Sequence, residues 1–132
     1  VITKMGLPPG IAAMYPKTMS DGVVTADIIR IRPDLEKVIP DFLVAVLNGQ
    51  HAASQVAIRT GGQTRPKLTL RDYKTIAVPL PPMREQKQIS EGLRTATETE
   101  QRGQAKLASL SSIKSGLMQD LLTGRVRVKV DA

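Results

Sequence analysis

Few side chains in this sequence could do covalent or acid–base chemistry. His51 is the single histidine and there is no cysteine, which removes a thiol nucleophile and any histidine-rich or thiolate metal site. His51 stands beside Ala52 and Ala53 in a short helical stretch, where it reads as an ordinary surface or half-buried residue. Carboxylates occur, but Glu98 and Glu100 fall on a solvated helix surface and Asp34 and Glu36 in a loop, so no acid–base pair is set up. Gly61-Gly62 is a bare glycine pair without the lysine of a phosphate-binding loop. These absences predict a protein that is not an enzyme in its own right.

What the residues do offer is positive charge. Of 132 residues, 19 are Lys or Arg against 12 Asp or Glu, and the net charge of +7 favours a polyanion or an acidic protein surface as partner. Segment 59–74 carries Arg59, Arg65, Lys67, Arg71 and Lys74 against one acid, Asp72. Its glycines let backbone amides approach a phosphate closely, while Thr60, Gln63 and Thr64 offer hydrogen bonds. The segment reads either as a contact for duplex DNA or as a solvated connector between elements. Lys4 and Lys17 would widen the basic surface if the fold brings them alongside. The candidate DNA contacts are therefore Lys4, Lys17, Arg59, Thr60, Gln63, Thr64, Arg65 and Lys67. Aromatic residues make up only 2% of the chain (Tyr15, Phe42 and Tyr73), too few for the stacking platform of a single-strand binder.

The elements that would position these residues follow from pattern and punctuation. Residues 1–3 read as the end of a strand, 6–22 as loop because of Pro8, Pro9, Gly10, Pro16, Ser20 and Asp21, and 23–31 as a strand stopped by Pro33. Residues 40–48 predict a compact helix with Asp41 near its start and Gly49 just past its end, and 51–58 a second short helix. Gly61, Gly62 and Pro66 exclude regular structure over 59–67. Residues 68–73 are ambiguous, and 76–80 read as a short strand feeding Pro81 and Pro82.

Beyond the prolines the pattern changes character. Alternate steps of four and three from Ile89 give Leu93, Ala96, Glu100, Gly103, Leu107, Leu110, Lys114, Leu117 and Leu121, the spacing of one seam on a long helix. A helix of about forty residues would be about 60 Å long, more than the small preceding domain can cover. The seam therefore predicts a partner helix, with Ile89, Leu93, Ala96, Gly103, Leu107, Leu110, Leu117 and Leu121 at the interface. The middle of it is weak, because Ala96 and Gly103 are small and Glu100 is charged. Gly124 suits a helix stop, and Val126, Val128 and Val130 predict a terminal strand or extended tail. The whole is an α+β chain: a small mixed domain over 1–82, a long helix over 83–123, and a tail over 124–132. No run approaches membrane-spanning length, and the lack of cysteine suits the cytosol.

Several separated pieces in one order closely resemble the specificity subunits of Type I restriction-modification enzymes. They are Thr60-Gly-Gly-Gln-Thr-Arg65, Leu68, Ile76-Ala-Val-Pro-Leu-Pro-Pro82, Glu85-Gln86 with Ile89, and Ile113-Lys-Ser-Gly-Leu-Met-Gln-Asp-Leu-Leu-Thr-Gly124. The resemblance implies that 1–82 is the latter part of a target recognition domain, since a complete one is larger, and that the helix is a spacer. It implies a subunit that reads one half of a split double-stranded DNA target and pairs its helix with a second spacer helix, in the same subunit or in a homodimer. It further implies docking to methyltransferase subunits, which the restriction and translocase subunit joins in turn. S-adenosylmethionine and ATP would belong to those partners, leaving this chain without a cofactor. From charge and seam alone, a basic coiled-coil scaffold that binds an acidic protein or non-specific nucleic acid remains the alternative.

Overall fold

The computed structural model describes residues 1–129 except 17 and 63. The chain divides into two compact units, Val1–Glu91 and Gly92–Ala132.

The first unit is organised on a very short sheet. Strand β1 (Ile2–Thr3) pairs antiparallel with β2 (Ile28–Ile29), Ile2 opposite Ile29 and Thr3 opposite Ile28. On its other side β1 takes an isolated bridge from Ala12, with Thr3 N–H donating to the Ile11 carbonyl at 2.9 Å. Two residues past β1, Met5 bridges Lys67, and Leu68 N–H donates to the Lys4 carbonyl at 3.0 Å. Residues 2–5 are thus the line on which three distant stretches meet. Gly10 is needed where the chain doubles back, since it sits at φ +91° and a Cβ there would come within 3.1 Å of Val56.

The expected strand over 23–31 shrinks to Ile28–Ile29, and Val23 is 97% exposed. Its β-branched residues carry strand propensity, but propensity without a neighbouring strand has nothing to pair with. The expected strand at 76–80 does not form either. Ala77 gives its N–H to Gln55 Oε1 (3.0 Å), and its carbonyl accepts from Gln55 Nε2 (2.8 Å), so one carboxamide replaces the strand partner. Pro79 and Pro81 could not have donated to a ladder in any case.

Asn48, just past the helix that ends at Leu47, does the same. Its Oδ1 accepts from Ala12 N–H at 2.8 Å and its Nδ2 donates to the Ala12 carbonyl at 2.9 Å. A carboxamide has one acceptor and one donor group side by side, the arrangement of a peptide edge. The fold uses that equivalence where the sheet is too short to tie the chain together.

Helix α1 (Pro40–Leu47) starts with proline at its first position and buries Phe42. Helix α2 (Gln50–Thr60) buries Ala52, Val56 and Thr60, four residues apart and therefore on one face. Arg59 and Thr60 belong to its last turn, not to an irregular loop as expected, because the first breaker is Gly61. The ambiguous stretch 68–73 contains α3 (Leu70–Tyr73), fixed by a capping box in which Thr69 Oγ1 accepts from Asp72 N–H and Asp72 Oδ2 accepts from Thr69 N–H. The Thr69 hydroxyl, donating to Asp72 Oδ2 at 2.6 Å, and then the Thr69 N–H, donating to the same oxygen at 2.8 Å, hold the Asp72 carboxyl below its ordinary range, with Arg59 and Arg71 adding to them. The buried apolar set among the described residues is Ile2, Ala12, Val38, Phe42, Ala52, Val56 and Leu68.

Tyr73 closes this packing by donating its hydroxyl to the Thr3 carbonyl, and burial pushes its pKa up from 10.0 to about 12. A raised value in the folded state means the contribution is complete below pH 10.0 and lost as pH climbs through about 12. Thermal melts of the wild type should therefore weaken across that interval. Tyr73→Phe should melt lower at neutral pH and lose less of its remaining stability there; parallel curves for the two proteins would exclude this role for Tyr73.

Helix α4 runs unbroken from Met83 to Leu122, forty residues as the seam spacing requires. Pro82 opens it, its carbonyl accepting from Glu85 and Gln86 N–H. Gly124 at φ +72° follows its end, where Gly124 N–H donates to the Leu121 carbonyl and Val126 N–H to that of Asp120. Residues 125–129 form no strand, and Val130 lies outside the described residues.

Candidate nucleic-acid interface

The fold sorts the basic segment into residues that hold it and residues that it displays. Arg59 is half-buried at the end of α2. Its guanidinium donates from Nη1 to the Gln55 carbonyl at 2.8 Å, from Nε to Thr75 Oγ1 at 3.2 Å and from Nη2 to the Thr75 carbonyl at 3.1 Å. It is a clamp between α2 and the residues after α3. Thr60 is 8% exposed and gives its hydroxyl to the Val56 carbonyl at 2.9 Å, which leaves it turned inward.

Past that point the chain turns outward. Gly62 takes φ +77° in open space, a conformation that favours glycine and carries the loop away from α2. Thr64, Arg65 and Lys67 are exposed, and the bridge of Lys67 to Met5 returns the loop to the line of β1. Leu68, fully buried, anchors it there.

Lys4 is half-buried beside that anchor, its N–H donating to the Asp27 carbonyl at 2.7 Å and its own carbonyl accepting from Leu68. The fold therefore does bring Lys4 alongside the loop. Arg71 on α3 and Lys74 just after it are exposed as well. Lys17 and Gln63 lie outside the described residues. The loop is thus anchored at both ends and displays cations between the anchors, which can place them against phosphates without any movement of the core.

On α4 the expected interface residues are all exposed in the chain by itself. Leu107 is 70% exposed, Leu110 and Leu117 each 54%, Leu121 42%, Leu93 48% and Ile89 37%, with Ala96 and Gly103 between them. Leu110, Ile113, Leu117, Met118, Leu121 and Leu122 line one shallow apolar groove. The polar side of the helix carries Glu98 between Arg94 and Arg102, pairs four residues apart that support the helix and little else. A second apolar concavity, of about 520 Å³, opens in the first unit between β2 and α1, lined among others by Met14, Tyr15, Val23, Ile31 and Leu43.

Sequence reasoning missed the carboxamides. Gln86 was visible only as part of a motif, and Gln55 and Asn48 carried no signal, since an amide's partners lie far along the chain. Among the described residues no group of three or more His, Cys, Asp or Glu could hold a metal ion, and no helix is long and apolar enough to cross a membrane.

A 99-residue stretch is 29% identical to a protein of Methanocaldococcus jannaschii provisionally named the type I restriction enzyme MjaX specificity subunit, covering 75% of this chain. The chain spans 23% of the length of that relative. No solved structure matches it significantly. The family described as Type I restriction modification DNA specificity domain matches residues 2–110, which take in the basic loop, its anchors and most of α4, and the chain belongs to that family.

Proposed function

We propose that this chain reads one half of a split duplex DNA target for a Type I restriction-modification system and docks methyltransferase subunits through α4, with the restriction subunit joining through them. The observation that carries the reading is the loop 61–67, tied down by Arg59 on one side and Leu68 on the other, with Arg65 and Lys67 displayed between. Residues 1–82 act as the latter part of a recognition domain, and the open apolar face beside β2 supports the presence of further domain residues that cover it. Residues 83–123 act as the spacer helix and 124–132 as a tail. The partner of the α4 seam is a second spacer helix, in the same subunit or in another copy. Reading DNA in this way needs no cofactor on this chain, and its place of action is the cytoplasm.

Salt titration of duplex binding tests the loop. Each phosphate contact contributes about 0.9 to the slope of log affinity against log salt, so Arg65→Ala should lower that slope by about 0.9 and weaken binding to every sequence alike. Arg59→Ala should instead lower the melting temperature, because its guanidinium is committed to Gln55 and Thr75. An unchanged slope for Arg65→Ala would move the DNA contact elsewhere. Wild-type binding that vanishes with salt irrespective of sequence would leave only the scaffold reading.

A further inference from the structure

Leu7 is 87% exposed, more than any other leucine of the chain, yet it does not stand on a loose loop. At the base of the loop Gly10 N–H donates to the Thr3 carbonyl at 2.9 Å and Ile11 N–H to Thr3 Oγ1 at 3.0 Å, while Met5 on the outgoing side bridges Lys67. Pro8 and Pro9, which follow Leu7, fix two φ angles in succession, and Pro9 is buried. The tip is thus held in place, and what it presents to solvent is an apolar side chain.

The same tip borders the basic loop. Leu7, Pro8, Pro9, Ile11 and Val56 line a concavity of about 300 Å³ together with Pro66, and Pro66 stands in sequence between the exposed Arg65 and Lys67. Cations that contact phosphates fix the register of a protein on duplex DNA but read no base. On the base edges of the major groove the apolar group is the 5-methyl of thymine. An apolar hollow next to displayed cations therefore complements a methyl next to phosphates. Leu7 forms one wall of that hollow, a shape that receives a projecting group and is not one to be driven between base pairs.

We infer that Leu7 is a specificity-determining residue that contacts the 5-methyl of a thymine in the half-site, where Arg65 and Lys67 meet the neighbouring phosphates. This rests on the reading of loop 61–67 as the duplex contact. The cations supply affinity for any sequence, and Leu7 adds a preference for one base.

The test begins with selection of the target from random duplexes by the full chain in its assembly with partner helix and methyltransferase. Each thymine of the selected sequence is then replaced in turn by deoxyuridine, which removes the methyl and keeps the base pair. At one position the wild type should bind about fourfold more weakly, the value of burying one methyl group. Leu7→Ser should bind the thymine and deoxyuridine duplexes alike and should melt within about 2 °C of the wild type, because the side chain it changes is exposed. Arg65→Ala should weaken binding to both duplexes and keep the ratio between them. Indifference of the wild type to every deoxyuridine, a selected sequence without thymine, or an unchanged ratio in Leu7→Ser would overturn the inference while leaving the functional reading intact. Failure of the wild type to select any sequence would overturn the functional reading itself, and the inference with it.

Discussion

Replacing Leu110 and Leu117 together with charged residues is expected to abolish association through α4. Both are 54% exposed in the single chain and lie in the same shallow groove with Ile113 and Leu121. Burying one leucine against a partner contributes about 1.5–3 kcal/mol at full burial, so losing two weakens a helix pair by roughly 3 kcal/mol or more, on the order of a hundredfold in affinity. The new charges raise that loss, because they must be desolvated to approach an apolar surface. Circular dichroism should change little, since helix hydrogen bonds within α4 do not involve these side chains. Sedimentation velocity reads the outcome: a shift to the smaller species is expected. A profile identical to the wild type would mean that the seam has no partner helix.

Leu68→Ala is expected to be the most damaging single truncation in the first unit. Leu68 has 0% exposure, its N–H is bonded to the Lys4 carbonyl, and it is the inner anchor of the basic loop. Removing a buried leucine side chain costs about 2–5 kcal/mol, and a small domain with few buried apolar residues has about that much to lose. The melting temperature should fall by about 10 °C or more, and duplex binding should fall with it, because Arg65 and Lys67 lose the strut that presents them. A melting temperature within about 2 °C of wild type would show that the core does not close over Leu68. The contrast with Arg65→Ala is useful: that variant should keep its stability and lose only its salt-dependent affinity.

The two perturbations separate the halves of the molecule by the kind of interaction each depends on. Unit one is held by a few buried apolar residues and by side-chain amides that answer backbone groups. The exposed part of α4 is held by its own backbone hydrogen bonds, and its apolar seam is exposed.

That difference also explains what could be read in advance. The length of α4, its start after Pro82 and the glycine past its end were legible because a helix bonds each residue to one four positions away, so a local pattern decides it. The same locality made α1 and α2 readable from Pro40 and Gly49, and the capping box of Thr69 and Asp72 was there to be read as well. The ordered motifs from Thr60 to Gly124 determined the family without any coordinates. What only the tertiary structure decided are the matters that turn on a distant partner. Residues 23–27 and 76–80 have strand-like composition and no strand to pair with. Arg59 and Thr60 look like DNA contacts and are spent on Thr75 and Val56. Gln86, Gln55 and Asn48 gain their roles from Ile39, Ala77 and Ala12, between 22 and 47 residues away. A side chain's chemistry is written in its type, but whether it is spent inside the fold or left for a ligand depends on which backbone groups the fold brings within about 3 Å of it.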